Sequence, residues 1–310
     1  MRLSSFFLFI AALASGLYLA RDAHGQDAPN PLDKVWVKRN SMQIGGLKVI
    51  RRCSATNEYL GDCRLVVRRG RKTLWSTEVE HGHPYWLQYG LFRFLPGRQK
   101  QFVVHTYSGG AHCCYDYYIF DIRGHRIKKV YDSSRYDSAN EIGDALVPVD
   151  IDKDGTYEFY RDVMAFDYMG FAGHASATFP PAIFSFDRHR QRFVLANRRF
   201  APFVLKEMNE SLASIKDSQS EQNALVATHP EATPMTDDDV NETAVREKFL
   251  YLVYAGKERE AWSYFESNYK SSTGNGYQEQ FRDQFISEFR KAFDKDPTYR
   301  SIYPPRNPNN

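Results

Sequence analysis

The chain has 310 residues, which is enough for one large or two modest domains, and its formal net charge is only +3, from 41 basic and 38 acidic residues. This near-neutral balance argues against a dedicated nucleic-acid-binding protein, which needs a clustered basic surface. After the first 25 residues, no stretch approaches the roughly 18 apolar residues of a membrane-spanning helix, so we expect no stable membrane span once that segment is removed.

The N-terminus predicts a secretory signal peptide over residues 1–25. Arg2 supplies the positive start, an apolar run begins at Phe6, and small residues precede a cut ahead of Gln26. An uncleaved N-terminal anchor is the alternative, because apolar residues continue to Ala20. We expect a periplasmic or secreted protein, and the style of the signal favours a bacterial periplasm.

Short apolar runs separated by turn residues predict an all-β region over residues 27–204. Three of these runs have the form of hairpins, at residues 65–75, 117–131 and 182–196. Their regular recurrence suggests repeated β-units, arranged as a propeller-like fold or as a sandwich.

A second correspondence supports repeated units. Aligning Gln101 with Glu158 brings together two segments that each precede one of the hairpins. Residues 93–97 then fall over residues 150–154, where acidic side chains alternate in the second copy only. On this alignment one unit keeps a metal loop and the other has lost its ligands.

Four cysteines, at Cys53, Cys63, Cys113 and Cys114, are expected in an oxidising compartment, where an even count implies disulfides. We favour a bridge between Cys53 and Cys63, because the nine intervening residues look like a turn that the bridge closes. With that bridge, Cys113 and Cys114 form a bridge between neighbours; in the alternative connectivities each of them pairs with one of the first two.

Residues 105–116 (HTYSGGAHCCYD) allow three interpretations. A cysteine thiolate with a histidine base is a nucleophile. His105, His112 and a cysteine could bind copper or zinc. A tight turn locked by a disulfide is the third interpretation, and the even cysteine count of an exported chain favours it.

Residues 150–158 (DIDKDGTYE) carry the most specific motif of the chain. Carboxylates at positions 1, 3, 5 and 9 point oxygens at one centre, and the glycine at position 6 permits the sharp turn that this requires. The carbonyl of position 7 adds a further oxygen. The predicted ligands of a Ca²⁺ ion are therefore Asp150, Asp152, Asp154, Thr156 and Glu158. A solvated acidic turn is the alternative.

The motif is not an EF-hand, because position 12 is Arg161, where an EF-hand needs a bidentate glutamate. Its flanks, ALVPV and EFYRDVMAF, have the composition of strands. This combination resembles the calcium loops of FG-GAP and VCBS-type repeats, found in integrin-like β-propellers. The resemblance implies that Asp150, Asp152, Asp154 and Glu158 bind Ca²⁺ between two strands.

Other candidate sites are less specific. Asp162 and Asp167 lie near His174, but a glycosidase needs a defined carboxyl separation that a sequence does not give, and no catalytic signature is present. Residues 166–181 form either a ligand-binding loop or an inter-strand excursion, and the second is favoured. The basic clusters at residues 68–72 and 188–192 are expected to be solvated turns.

Residues 205–300 predict a small helical domain. A linker at 229–239 is expected to separate its first helix from the others. Helical spacing puts two apolar faces in a core. They consist of Val245, Phe249, Leu252 and Val253, and of Phe281, Phe285, Phe289 and Phe293. Gly256 is expected to end the first of these helices, and residues 301–310 to form a disordered tail.

These features predict a non-catalytic binding or scaffold protein of the cell envelope, stabilised by a structural Ca²⁺ ion. Its partner is an unknown protein or glycan. The alternative is an envelope enzyme, either a hydrolase or a thiol or metal redox protein that uses His112, Cys113 and Cys114.

Overall fold

The structure is a computed structural model, and it describes residues 30–54, 61–82, 86–107, 115–136, 142–167, 177–229, 237–269 and 277–304. Within these ranges the chain forms three four-stranded antiparallel sheets, followed by five α-helices. The predicted signal peptide, His112, Cys113, Cys114, His174 and the last six residues lie outside the described residues.

Each sheet is built from four strands that are consecutive in the chain and neighbours in space. Sheet 1 comprises β1 (Ser41–Ile44), β2 (Leu47–Cys53), β3 (Gly61–Arg69) and β4 (Lys72–Gly82). Sheet 2 comprises β5 (Leu87–Phe92), β6 (Gln101–Tyr107), β7 (Tyr115–Arg123) and β8 (Arg126–Asp132). Sheet 3 comprises β9 (Ile142–Val149), β10 (Glu158–Val163), β11 (Pro181–Asp187) and β12 (Arg192–Leu195). The three predicted hairpins are β3–β4, β7–β8 and β11–β12.

Sheet 2 lies between the other two sheets. Its strand β6 is buried from Gln101 to Thr106, because both faces of the strand are covered. The face toward sheet 1 packs Phe102 and Phe120 against the inner side chains of β2 and β3, and Trp75 meets Phe120 with ring centroids 4.8 Å apart. The all-β prediction is therefore confirmed as a stack of antiparallel sheets.

The other face of sheet 2 packs on sheet 3 through aromatic rings. Phe159 of β10 lies at the centre of this contact, 4.7 Å from Tyr131 and 5.1 Å from Phe184 between ring centroids. Arg161, two residues along β10, is fully buried, and its Nη2 donates to the Tyr115 carbonyl at 2.8 Å. The residue that excludes an EF-hand thus links two sheets.

The outer face of sheet 1 carries two basic pairs, one on each side of the apolar pair Ile50–Val66. Lys48 lies directly opposite Arg68, and Arg52 lies directly opposite Arg64, so like charges face each other across β2 and β3. Glu78 offsets part of this charge through a 4.0 Å contact with Arg64. We call Lys48, Arg52, Arg64 and Arg68 the basic face.

A disulfide joins Cys53 to Cys63, as predicted. The two residues are directly opposite each other in the β2–β3 ladder, where Cys63 is fully buried in the core and Cys53 is exposed. The described residues contain no free cysteine.

We expect the double substitution of Cys53 and Cys63 by alanine to lower the free energy of unfolding by about 2–3 kcal/mol. The bridge closes a short loop, with a sequence separation of 10 residues, and thereby restricts the unfolded chain. Urea unfolding under non-reducing conditions measures the effect. An unchanged midpoint would contradict a stabilising role.

The helices begin directly after sheet 3. They are α1 (Ala201–Thr228), α2 (Asp237–Tyr254), α3 (Glu258–Asn268), α4 (Tyr277–Lys295) and α5 (Pro297–Ile302). Gly256 follows α2 with a φ of +83°, a conformation that suits glycine and ends the helix as predicted. Among the described helices, none combines the length and apolar character that a membrane crossing requires.

Helix α2 is the central helix. The predicted apolar face of Val245, Phe249, Leu252 and Val253 is buried, but so is every residue from 249 to 255. The predicted face therefore included too few of the buried residues. Helices α1 and α3 both pack on α2, so the C-terminal half of α2 has no side that is exposed to solvent.

Sheet 3 and the helices share one core. Tyr160 contacts Phe203 of α1, and Phe166 meets Tyr254 of α2 and Phe293 of α4 with ring centroids 5.9 and 5.5 Å apart. The order of layers is therefore sheet 1, sheet 2, sheet 3 and helices. Near the C-terminus, Ile302 of α5 is also buried, although it falls within residues 301–310, which were expected to form a disordered tail.

Candidate metal centre

The acidic loop connects β9 to β10, so strands flank it on both sides, as the composition of its flanks predicted. Val149 and Glu158 pair at its base. Lys153 and Gly155 adopt φ values of +59° and +80°, which turn the chain back on itself. The Tyr157 N–H donates to the Phe94 carbonyl at 2.6 Å and fixes the loop to sheet 2.

Three of the predicted ligands converge. Asp150, Asp152 and Glu158 each present one carboxylate oxygen, and these oxygens lie within 4.8 Å of one another. Oxygens that bind one Ca²⁺ ion at about 2.3–2.6 Å can be separated by up to about 5 Å. The spacing therefore suits a shared cation.

Only one of the two carboxylate oxygens of Asp150 is hydrogen-bonded within the loop. Its Oδ2 accepts from the Gly155 N–H at 3.1 Å. Its Oδ1 is buried and has no hydrogen-bond partner among the described residues. A buried carboxylate oxygen without a partner costs free energy, and a cation removes that cost.

Glu158 is the most buried carboxylate of the site, and the residue is only 1% exposed. Its Oε2 accepts from the Ile151 N–H at 3.3 Å, and its Oε1 accepts from the Ser185 hydroxyl at 3.1 Å. Burial raises the pKa of this carboxyl above its ordinary value, and the nearby Asp152 adds to the rise.

Arg199, in the segment that precedes α1, contacts the group of converging carboxylates through Asp152. Its Nη2 lies 2.6 Å from Asp152 Oδ2, and its Nη1 donates to the Ser185 hydroxyl at 3.2 Å. No sequence pattern indicated Arg199, because it is 47 positions from its partner and outside any motif.

Asp154 is not part of the converging group. Asp154 is exposed, and its Oδ1 accepts from the Thr156 N–H at 2.7 Å, the contact that chiefly holds the pKa of Asp154 below its usual value. This bond within the loop turns the side chain away from the three converging oxygens. Thr156 itself is buried.

Sheet 2 contains a matching arrangement without the charge. Gln101 begins β6 as Glu158 begins β10, and its Oε1 accepts from the Phe94 N–H at 2.9 Å. In both cases the acceptor lies seven residues after the donor. A neutral amide thus stands where sheet 3 has a carboxylate.

A cavity of about 730 Å³ adjoins the loop at the same end of sheets 2 and 3. Asp154, Thr156 and Glu158 form part of its wall, and Arg199 closes one side. The loop therefore borders a space that is open to a ligand.

His105 is the described member of the second predicted site, and it does not lie at this centre. His105 lies in β6 and is packed among Trp36, Tyr115 and Tyr117, with its pKa lowered to about 4 chiefly by burial. Its proposed partners His112, Cys113 and Cys114 lie outside the described residues, as do residues 168–176 of the candidate ligand loop. The structure gives no contact between His105 and the acidic loop.

Comparison of the chain with protein-family models, with curated proteins and with solved structures gives no match.

Proposed function

We propose that this chain is an exported, non-catalytic binding or scaffold protein of the cell envelope, in which a structural Ca²⁺ ion holds residues 150–158. The observation that carries the proposal is the convergence of Asp150, Asp152 and Glu158 in a loop between two strands. Three carboxylates this close repel one another unless a cation neutralises them.

The residues fit a hard divalent cation better than a solvated turn. Arg199 offers its charge to Asp152 on the more exposed side, while the free oxygen of Asp150 and the buried Glu158 receive no cation from the described residues. Oxygen ligands are those that Ca²⁺ prefers. Asp154, after a side-chain rotation, and the Thr156 carbonyl complete the predicted set.

The resemblance to FG-GAP and VCBS-type repeats extends this proposal to the architecture. Three sheets of four consecutive strands, together with the matching bonds of Gln101 and Glu158, support repeated units with a propeller-like packing. In this view the unit with Gln101 has lost its metal, and the unit with Glu158 has kept it.

Export supports the choice of metal. The predicted signal peptide and the Cys53–Cys63 bridge fit an oxidising compartment. Calcium outside the cytosol is abundant enough for a site of millimolar affinity. The ion then stabilises the folded chain because it binds only the folded loop.

Direct binding tests the proposal. Equilibrium dialysis of residues 26–310 with ⁴⁵Ca²⁺ is expected to give one bound ion in the wild-type protein and none in Asp152→Asn at the same calcium concentration. Asp283→Asn removes the same charge from the exposed side of α4 and is expected to bind as the wild type does. Equal binding by both variants would show that residues 150–158 are only an acidic turn.

The raised pKa of Glu158 predicts a pH dependence. The ion needs the ionised carboxylate, so calcium affinity is expected to fall as the pH drops through the raised pKa, beginning above the ordinary value of 4.5. In chelator the sign reverses: the folded state holds this proton more tightly than the unfolded chain does, so stability falls as the pH rises through the raised pKa. Thermal unfolding between pH 4 and pH 8, with calcium and with chelator, measures both slopes.

A further inference from the structure

The cavity beside the acidic loop is large enough for a small organic ligand. Its volume of about 730 Å³ lies within the range of ligand pockets. Its walls come from the turn after β5, the end of β7, the acidic loop and the β11–β12 turn. All of these segments lie at one end of sheets 2 and 3.

Four arginines from four separate segments line this space. They are Arg98, Arg123, Arg188 and Arg199. Two of them are held by carboxylates: Arg123 Nε lies 2.8 Å from Asp121, and Arg199 lies 2.6 Å from Asp152. Each of these two arginines therefore has a carboxylate partner at the cavity wall.

The other two arginines have no such partner. Neither Arg98 nor Arg188 makes an ion pair with a carboxylate of the described residues, and both are exposed. In the turn that carries Arg188, the nearby Asp187 pairs with Arg190 at 3.6 Å instead. Two guanidinium groups thus remain available at the cavity wall.

Each acidic residue of the wall has a hydrogen-bond or ion-pair partner within the protein. Asp121 pairs with Arg123, Asp154 accepts from a backbone N–H, and Glu158 accepts from Ile151 and Ser185. The four arginines of the wall face three carboxylates, Asp121, Asp154 and Glu158, so the formal charge of the wall is +1. A divalent ion in the acidic loop shifts the balance further toward positive charge.

We propose that this cavity binds a small organic anion whose carboxylate or phosphate group is held by Arg98 and Arg188. The planar guanidinium group forms paired hydrogen bonds with either oxyanion. Leu95, Pro96 and Phe186 add an apolar contact for the carbon skeleton. The inference rests on the binding role proposed above, and it names the ligand class and the site.

Calorimetric titration of residues 26–310 in calcium tests the inference with three probes: digalacturonate, glucose 1-phosphate and neutral maltose. At least one of the two anions is expected to bind, maltose is not, and the anion that binds identifies the oxyanion. Arg98→Gln with Arg188→Gln is expected to weaken binding about tenfold or more, because charged hydrogen bonds are lost. Arg71→Gln removes the same charge from the exposed β3–β4 turn, outside the cavity wall, and is expected to leave the affinity unchanged.

The outcomes separate this inference from the proposed metal. Anion binding that is equal in the double variant and the wild type, or no binding of either anion, overturns the site even where calcium still raises the unfolding midpoint. Anion binding that needs Arg98 and Arg188, without any calcium effect, supports the site and overturns the metal. A single cooperative thermal transition of the double variant, at a midpoint close to that of the wild type, checks that it is folded.

Discussion

Removing calcium is expected to lower the midpoint of thermal unfolding of residues 26–310 by about 5–10 °C. An ion present at a hundred times its dissociation constant stabilises the folded state by about 2.7 kcal/mol, because the unfolded chain does not bind it. The free oxygen of Asp150 and the buried Glu158 are the groups whose cost the ion removes. Differential scanning calorimetry with calcium and with chelator measures the shift.

Variants test whether this change in the unfolding midpoint comes from calcium bound at residues 150–158. Asp152→Asn is expected to unfold at the same temperature with and without calcium, and Asp283→Asn to retain the full shift. Magnesium is expected to give a smaller shift, because it demands a tighter octahedral geometry than this loop provides. A midpoint that does not move in millimolar calcium would contradict the metal site.

The second large effect is expected in the aromatic contact between sheets 2 and 3. Phe159→Ala should lower the free energy of unfolding by about 3–5 kcal/mol, because the ring is fully buried and its removal leaves a cavity. Its neighbours Phe94, Tyr131, Phe184 and Phe193 come from both sheets and do not collapse easily onto the space. Urea unfolding measures the loss.

The same variant tests whether the helices unfold separately. Because sheet 3 and the helices share one core, Phe159→Ala and Phe249→Ala are expected to lower the same single transition. Hydrogen exchange followed on peptides from β10 and from α2 reports the two regions. Leu225→Ala, at a side chain that is 41% exposed, is the control and should change stability by less than about 0.5 kcal/mol. Two transitions, of which each variant moves only one, would contradict a shared core.

The sequence predicted local structure better than it predicted contacts. Alternating apolar residues and the turns at residues 69–72 and 123–126 were sufficient for the hairpins, because strand pairing across a short turn is decided locally. The D-x-D-x-D-G spacing indicated the acidic loop, because the conformation of a short loop is also decided by neighbouring residues. The end of α2 could be read from Gly256, but the burial of the helix on all sides could not, since α1 and α3 determine it.

The centre also depends on residues that no local pattern reveals. Arg199 meets Asp152 only because the chain returns from β12 to the end of sheet 3. Arg98 and Arg188 share a cavity because two sheets stack, and their separation along the sequence carries no trace of this. Asp154 belonged to the motif by spacing, yet its bond to Thr156 takes it away from the other carboxylates.

The basic face gives the stack a defined end. A second copy of the molecule that approached with the same surface would set Lys48, Arg52, Arg64 and Arg68 against their own counterparts, with little acidic charge between them. Face-to-face growth into fibres through sheet 1 is therefore electrostatically disfavoured, most strongly at low ionic strength. The opposite end is covered by helices, so the flat surfaces that invite self-stacking are blocked in two different ways.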